Sequence, residues 1–567
     1  MDHDAPAQPP RAASLDNPLY YLDNMEMVVR WVHDHHRDLL TDEEAGQVAH
    51  FLQLPVASRA LLTRMIMRTG EFFRPDRLHY PELPEREATA LGPLRKQPWL
   101  EVDPVLDPGT LFRLFTLAEL CPSLEPLLEK AGLTGQPTKA AMLDVLKTTS
   151  QEPRPVHEWL GKTAPPVIRL TCMALFDRLR LMFFGNLRQS WSDFVLVELG
   201  LQVYEPVTFG PESRAFQTRE EVDTYLLMHR CRERLDEGEE PARIWQDIPP
   251  APVNPWLAAR RDRLLLELGR LAERQGDRAL ALEALATSDH RDARLRHLRL
   301  LERMKRHEEA WQILQPALQE LRSDREQVGL ARIQKRLARK LSLEVSEQTE
   351  TVIPESRLVL ANPDQLPVEH VVAEHVRQDH QPVFYVENIL FNALFGLLFW
   401  EAIFHPVAGA FFHPFHTGPT DLTQGDFYER RRTRFDKLFA TLGSDEYRRI
   451  IRDNWRMKQG ISNPFVIWPV VTESLLELAM DCIPPTHLDA VFRRLLVDVK
   501  EHRSGFPDLI GFRPKADDPA RQYHLIEVKG PGDRLQDHQQ GWLTFFLDLG
   551  VDAQVCHVSW DPGLVSP

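Results

Sequence analysis

At 567 residues, with 43% hydrophobic and 27% charged side chains, the sequence is globular in composition and too long for one core, predicting about three or four domains. Its formal charge of −15 speaks against a uniformly basic nucleic-acid-binding body, but net charge does not locate the basic groups. No apolar run reaches the roughly 18 residues of a membrane-spanning helix, which excludes a helical membrane protein.

The opening residues, MDHDAPAQPPRAASLDNP, lack the basic-then-apolar pattern of a secretory signal and read as a disordered tail. Residues 17–80 alternate apolar and charged positions at helical spacing, as in YYLDNMEMVVRWVHDHH. The HDHH run invites a metal reading, but His33, His35 and His36 cannot all share one helical face. The proline-rich 81–104 reads as a connector. From Thr110, two short helices carrying leucines at 117, 120, 128, 143 and 146 are predicted, joined around 132–139; they resemble a SAP module, a small helical DNA-binding unit. DFVLVELGLQVYEPVTF (193–209) predicts a strand pair.

Residues 255–345 are almost continuously helical, and ERQGDRALAL (273–282) and ERMKRHEEAWQIL (302–314) read as successive helical-hairpin repeats. Ala281 and Ala310 fall at matching places where a small residue lets helices approach closely, as in tetratricopeptide-type arrays. Residues 342–367 return to extended, linker-like sequence. Arginine clusters at 178–188, 291–307, 428–437 and 447–458. Either these are solvated helix faces or they line a basic groove on an acidic body. The five cysteines, Cys121, Cys172, Cys231, Cys482 and Cys556, are too scattered for a zinc motif or a disulfide framework, which fits a reducing compartment.

The chemistry concentrates near the end of the chain. YHLIEVKG (523–530) has the apolar, β-branched character of a strand ended by Gly-Pro-Gly. Strand alternation puts Glu527 and Lys529 on one face while Ile526 and Val528 bury on the other. Such a pair is often only a surface ion pair. Upstream, SGFPDLIGF (504–512) predicts a second strand entered through Pro507, and a hairpin between the two would set Asp508 beside Glu527. Neighbouring, partly buried carboxylates repel unless one takes up a proton or a cation holds them, and hard divalent ions such as Mg²⁺ seek oxygen ligands. The carbonyl of Val528 is a further candidate ligand. Asp533 is predicted to cap the following helix with Gln536 as its capping-box partner. On that helix Trp542 and Phe546 read as core, whereas Gln539 would bring a polar group to the carboxylates.

The order PD…E-x-K is the signature of restriction-endonuclease-like cores in the PD-(D/E)xK superfamily, and with the G-P-G-D-R-L extension residues 504–542 closely resemble the VRR-NUC module. VENILFNALFGLLFWEAIFHP (386–406) resembles the helix preceding that module in the Fanconi-associated nuclease family, whose additional metal-ligating glutamate falls at Glu387. Read from the residues alone, Glu387 simply opens an apolar helix, where an acid suits the positive dipole end. The N-terminal helices, the SAP-like pair, VLVELG and the repeats recur in the same order, so the resemblance spans nearly the whole chain. The cysteine count shows that the ubiquitin-binding zinc finger of the long animal members is missing, as in a short, bacterial-type member.

The resemblance implies a multidomain, mostly α chain ending in an α/β nuclease core. Its expected parts are a helical N-terminal domain (1–104), a SAP-like region with extension (105–254), tetratricopeptide-like repeats and linker (255–367) and a VRR-NUC domain (368–567). It implies a metal-dependent phosphodiesterase with 5′-flap endonuclease and 5′-to-3′ exonuclease activity on DNA, acting in interstrand-crosslink repair. Asp508, Glu527, Val528 and Glu387 would bind Mg²⁺ or Mn²⁺; Asp508, Glu527, Lys529 and Gln539 would be catalytic. Arg503 and Arg534 are candidate DNA contacts, or else ordinary exposed arginines; His502 has the same standing as Arg503. Flapped or branched DNA is the expected partner, with the repeats open to other DNA-repair proteins, and no membrane or nucleotide cofactor. The setting would be the cytoplasm, beside the nucleoid, in a bacterium, or the nucleus in a eukaryote. Two alternatives remain: a Holliday-junction resolvase-like endonuclease, and a catalytically dead DNA-repair adaptor.

Overall fold

The computed structural model describes residues 17–83, 86–130, 137–149, 152–189, 191, 203–320, 324–344, 351–361, 366–377 and 381–561. The chain forms two compact units, residues 1–201 and 202–567. No helix among the described residues is long and apolar enough to cross a membrane.

The first unit opens with helices Tyr20–His36, Asp42–Gln53 and Val56–Ile66. Thr41 and Glu44 form a reciprocal capping box at the second of these. Within HDHH, His33 turns to Asp34, while His35 bonds the Trp31 carbonyl and stacks on its ring. The connector expected over 81–104 is not one. Ala90, Leu91 and Leu94 are fully buried in short helical turns, because the prolines break the helix without exposing its apolar residues. The strands here are β1 (Phe72–Phe73), β2 (Leu100–Val102), β3 (Val105–Leu106), β4 (Arg154–Pro155) and β5 (Ile168–Leu170). β5 lies antiparallel between β1 and β2, and β3 pairs with β4.

Helices Leu117–Lys130 and Lys139–Thr149 form where the SAP-like pair was expected. Leu120, Leu124, Leu128, Met142 and Leu146 fill one small core, while Leu117 is exposed. Their connection at 131–136 lies outside the described residues, as does 193–202 of the expected strand pair. In the second unit Val203 makes a single parallel bridge to Ile461, and 204–209 form no strand; Pro206 has no N–H to give a ladder.

Where helical repeats were expected, the second unit has helices Pro255–Gln275, Arg278–Thr287, Ala293–Arg303, His307–Gln319 and Asp324–Leu341. Asn254 caps the first and Asp277 the second, with Gly276 at φ 89° making the turn between them. Ala281 and Ala310 are fully buried, and a Cβ on Gly269 would stand 3.0 Å from Leu285, so these helices approach through small residues. Much of the arginine in the clusters is committed to ion pairs. Arg291 meets Asp498 at 2.7 Å, Arg294 meets Glu326, and Arg296 and Arg303 share Glu273. Arg430 and Arg431 both reach buried Asp421, and Arg448, Arg452 and Arg456 meet Asp481, Glu477 and Glu473.

The C-terminal part of the second unit holds a mixed five-stranded sheet, with strands β6 (Glu355–Leu360), β7 (Val383–Tyr385), β8 (Leu509–Phe512), β9 (Tyr523–Lys529) and β10 (Asp552–Trp560) in the order β6-β10-β9-β8-β7. β6 corrects the linker expected over 342–367: its alternating ESRLVL pairs parallel to β10, a partner nearly 200 residues away that no local pattern reveals. β9 and β10 are also parallel; β8 is antiparallel to both β9 and β7. Every residue of β8 and β9 is buried. Ile526 and Val528 join an apolar cluster with Val372 of helix Val368–Val376. Tyr523 and Leu525 join the larger core with Trp542 and Phe546, as expected for those two aromatics.

Candidate active site

The predicted hairpin forms: Leu509 faces Ile526 and Gly511 faces His524 in the β8–β9 register. Extended by one residue, that register sets Asp508 opposite Glu527. Pro507 precedes the ladder and donates nothing to it, and Asp508 leads directly into β8. The Asp508 carboxylate then accepts from the Val528 N–H at 2.8 Å. Its carbonyl accepts from the N–H groups of Val386 and Glu387 at 2.9 and 3.0 Å. These bonds continue the β7–β8 ladder and bring the 386–389 turn to the end of the hairpin. Glu387 therefore arrives at the site through strand pairing, at the start of a short 3₁₀ turn that leads into helix Leu390–Leu398.

Glu527 and Lys529 project together, as alternation requires, and they are not a surface pair. Glu527 is 0% exposed, Lys529 7% and Asp508 8%. Lys529 Nζ donates to Glu527 Oε1 at 2.7 Å and to Gln539 Oε1 at 3.0 Å; Gln539 Nε2 returns to Glu527 Oε1 at 2.6 Å. Sequence reasoning placed Gln539 correctly but for a helix that starts elsewhere. The helix spans Asp537–Asp548, its N-cap is Gln536 and its capping-box partner is Gln539 itself. Asp533 instead accepts from the Gly530 N–H at 3.0 Å, closing the turn after β9, so its carboxylate is not available as a cap. Arg534 consequently lies before the helix and is exposed, as is Arg503. His502 is buried, with Nδ1 against the Arg494 carbonyl.

Burial pushes the Glu527 carboxyl up to about 7, with Asp508 and Glu387 adding to the rise and Lys529 opposing it. Burial likewise raises Asp508 to about 6; the Val528 N–H opposes this, while Glu369 and Glu387 add to it. Glu369, on helix Val368–Val376, is an acid that sequence reasoning missed, since nothing in its surroundings marks it apart from that fold. Tyr385, Asn388 and Asn392 were also missed. Tyr385 OH donates to Glu387 Oε2 at 2.6 Å and Asn388 Nδ2 donates to Oε1 at 3.0 Å. Tyr385 stands two residues before Glu387, a spacing that was legible in VFYVENI.

The donor set suits a divalent cation. Lys529 and Gln539 occupy Glu527 Oε1, but Oε2 is buried with no hydrogen-bond partner among the described residues. A buried carboxylate oxygen without a donor, next to a second carboxylate with raised proton affinity, is where a hard cation is favoured over a proton. Among the described residues, no three His, Cys, Asp or Glu side chains are grouped so that they could together hold a metal ion.

Comparison with known proteins identifies the family. Residues 443–560 match the VRR-NUC domain family and residues 19–101 match the "FAN1, HTH domain" family. The chain is 44% identical to a Fanconi-associated nuclease 1 homolog of Pseudomonas aeruginosa over 557 residues, covering 97% of this chain and 98% of that protein. It is similar to a crystal structure of paFAN1 bound to 5′-flap DNA with a gap and a 2-nucleotide flap, at TM-score 0.82 and 42% identity, covering 98% of this chain and all of that one. A second, with a 1-nucleotide flap, gives TM-score 0.81 and 43% identity over 96% of this chain and all of that one. A two-strand carboxylate–lysine site at the end of a mostly helical chain, and a likeness running from end to end, meet in one conclusion: the chain belongs to the Fanconi-associated nuclease family.

Proposed function

We propose that this nuclease is a divalent-cation-dependent phosphodiesterase that incises DNA beside 5′ flaps, trims it 5′ to 3′ and serves interstrand-crosslink repair. One observation carries the chemistry: a buried acid pair, Asp508 and Glu527, raised in proton affinity, with Lys529 on one oxygen of Glu527 and no partner among the described residues on the other. The flap substrate is supported by the 5′-flap complexes of paFAN1, whose chain this one matches over its full length.

Asp508, Glu527, the Val528 carbonyl and Glu387 are the groups that would hold Mg²⁺ or Mn²⁺. Such an ion supplies charge neutralisation at the scissile phosphate and a more acidic water. Lys529 remains a fixed cationic donor for the oxygen on which charge develops, and Gln539 helps hold its ammonium in place by accepting from it. Arg503 and Arg534, exposed and without ion-pair partners among the described residues, would meet backbone phosphates. The SAP-like helix pair and the tetratricopeptide-like repeats would hold the duplex arms, and the repeats would take any DNA-repair protein partner.

Labelled 5′-flap and four-way DNA with Mn²⁺ or Mg²⁺, cut by wild type and by Asp508→Ala, tests this reading. Flap incision by wild type alone is the expected result. Symmetric cutting of the four-way junction would replace it with a resolvase, and metal-independent binding without any cutting would replace it with an adaptor.

A further inference from the structure

Glu387 is held more firmly than a helix-opening acid requires. Each carboxylate oxygen has its own donor from the chain: the Tyr385 phenol on Oε2 and the Asn388 amide on Oε1. Asn388 does a second thing with the same side chain, its Oδ1 accepting from the N–H of Phe506 at 3.1 Å. Phe506 stands two residues before Asp508, so one amide joins the carboxylate of Glu387 to the loop that delivers Asp508. Asn392, one turn on, repeats the link: Nδ2 donates to the Asn388 carbonyl at 2.7 Å and to the Arg503 carbonyl at 2.8 Å. Phe391 stacks on Phe506 at 5.2 Å beneath this amide bridge.

We infer that Tyr385 and Asn388 are positioning residues that form a clamp, fixing the direction of the Glu387 carboxylate and its spacing from Asp508, and so setting affinity for the divalent cation. This rests on the reading of Glu387 as a ligand. Hydrogen bonds to a ligating carboxylate fix its orientation, and removing such partners typically lowers metal affinity by about 10–100-fold. Both directional donors come from within two residues of Glu387 and leave the backbone of 386–387 free to bind the Asp508 carbonyl.

The test uses the full chain with Mn²⁺ and no DNA, reading binding by calorimetry, and then reads the Mn²⁺ dependence of flap cutting. Tyr385→Phe removes only the phenol oxygen, and Asn388→Ala removes both amide links; Glu387→Gln is the reference. We expect each of the first two to weaken Mn²⁺ binding about tenfold, with cutting restored at high Mn²⁺ and flap affinity in Ca²⁺ unchanged. Wild-type Mn²⁺ titrations from Tyr385→Phe and Asn388→Ala, beside a weakened Glu387→Gln, overturn the clamp and spare the ligand assignment. An unchanged titration from Glu387→Gln overturns the ligand assignment, and the clamp with it.

Discussion

Lys529 donates to Glu527 across 2.7 Å between two side chains that are almost wholly out of water. Taking two charges out of water is costly, and the pair is retained at a place where one oxygen of Glu527 has no donor among the described residues. Lys529→Met should lower single-turnover flap cutting by about 10²–10³, the usual cost of losing a preorganised charged donor. It should also leave Glu527 more readily protonated, since a lysine that opposed the rise is gone. Rates within about tenfold of wild type, at equal melting temperature, would remove Lys529 from the reaction.

Protons and metal compete for the same acids. Asp508 and Glu527 are raised to about 6 and about 7, above ordinary carboxylates at about 4. Between about 4 and these values the folded chain binds more protons than the unfolded one, so these groups weaken the metal-free fold as pH rises through that window. A cation needs them deprotonated. The rise in melting temperature produced by Mg²⁺ should therefore be small at about pH 5.5 and grow until pH passes about 7, with proton release on binding. An increment independent of pH would separate these two acids from metal binding.

Gly511 stands opposite His524 in the β8–β9 register, and a Cβ there would lie only 2.0 Å from the nearest atom of the imidazole ring. His524 is buried in the central strand, which leaves its ring little room to move aside. Gly511→Ala should destabilise the chain by about 1–3 kcal/mol in urea unfolding. Combining it with His524→Ala should return part of that loss, since the two changes share one space. Strict additivity would contradict the packing.

Arg503→Ala and Arg534→Ala should weaken flap binding similarly for every sequence and reduce its salt dependence, the slope falling by about one for each phosphate no longer neutralised. The check is DNA affinity in Ca²⁺ at several salt concentrations. A variant whose salt slope matches wild type shows that its arginine neutralises no phosphate.

The sequence by itself determined whatever depends on neighbours a few residues apart. Alternation in HLIEVKG set Glu527 and Lys529 on one face and Ile526 and Val528 on the other, and the proline-led PDLIGF before a polar turn led to the antiparallel hairpin that brings Asp508 alongside. Trp542 and Phe546 were legible as core for the same reason. Tertiary structure decided everything that depends on distant partners. β6 looks like linker because its parallel mate is β10, and the 81–104 stretch looks like a connector because its few apolar residues bury against other segments. The helix after β9 begins at Asp537 because Asp533 is drawn back to Gly530, a choice between two short hydrogen bonds that spacing cannot settle. The depth at which Glu527 lies, and the convergence of Tyr385, Glu387 and Asn388 on Asp508 from far earlier in the chain, follow from strand pairing and packing. Local periodicity fixes which way a side chain points; only the assembled sheet fixes what it meets there.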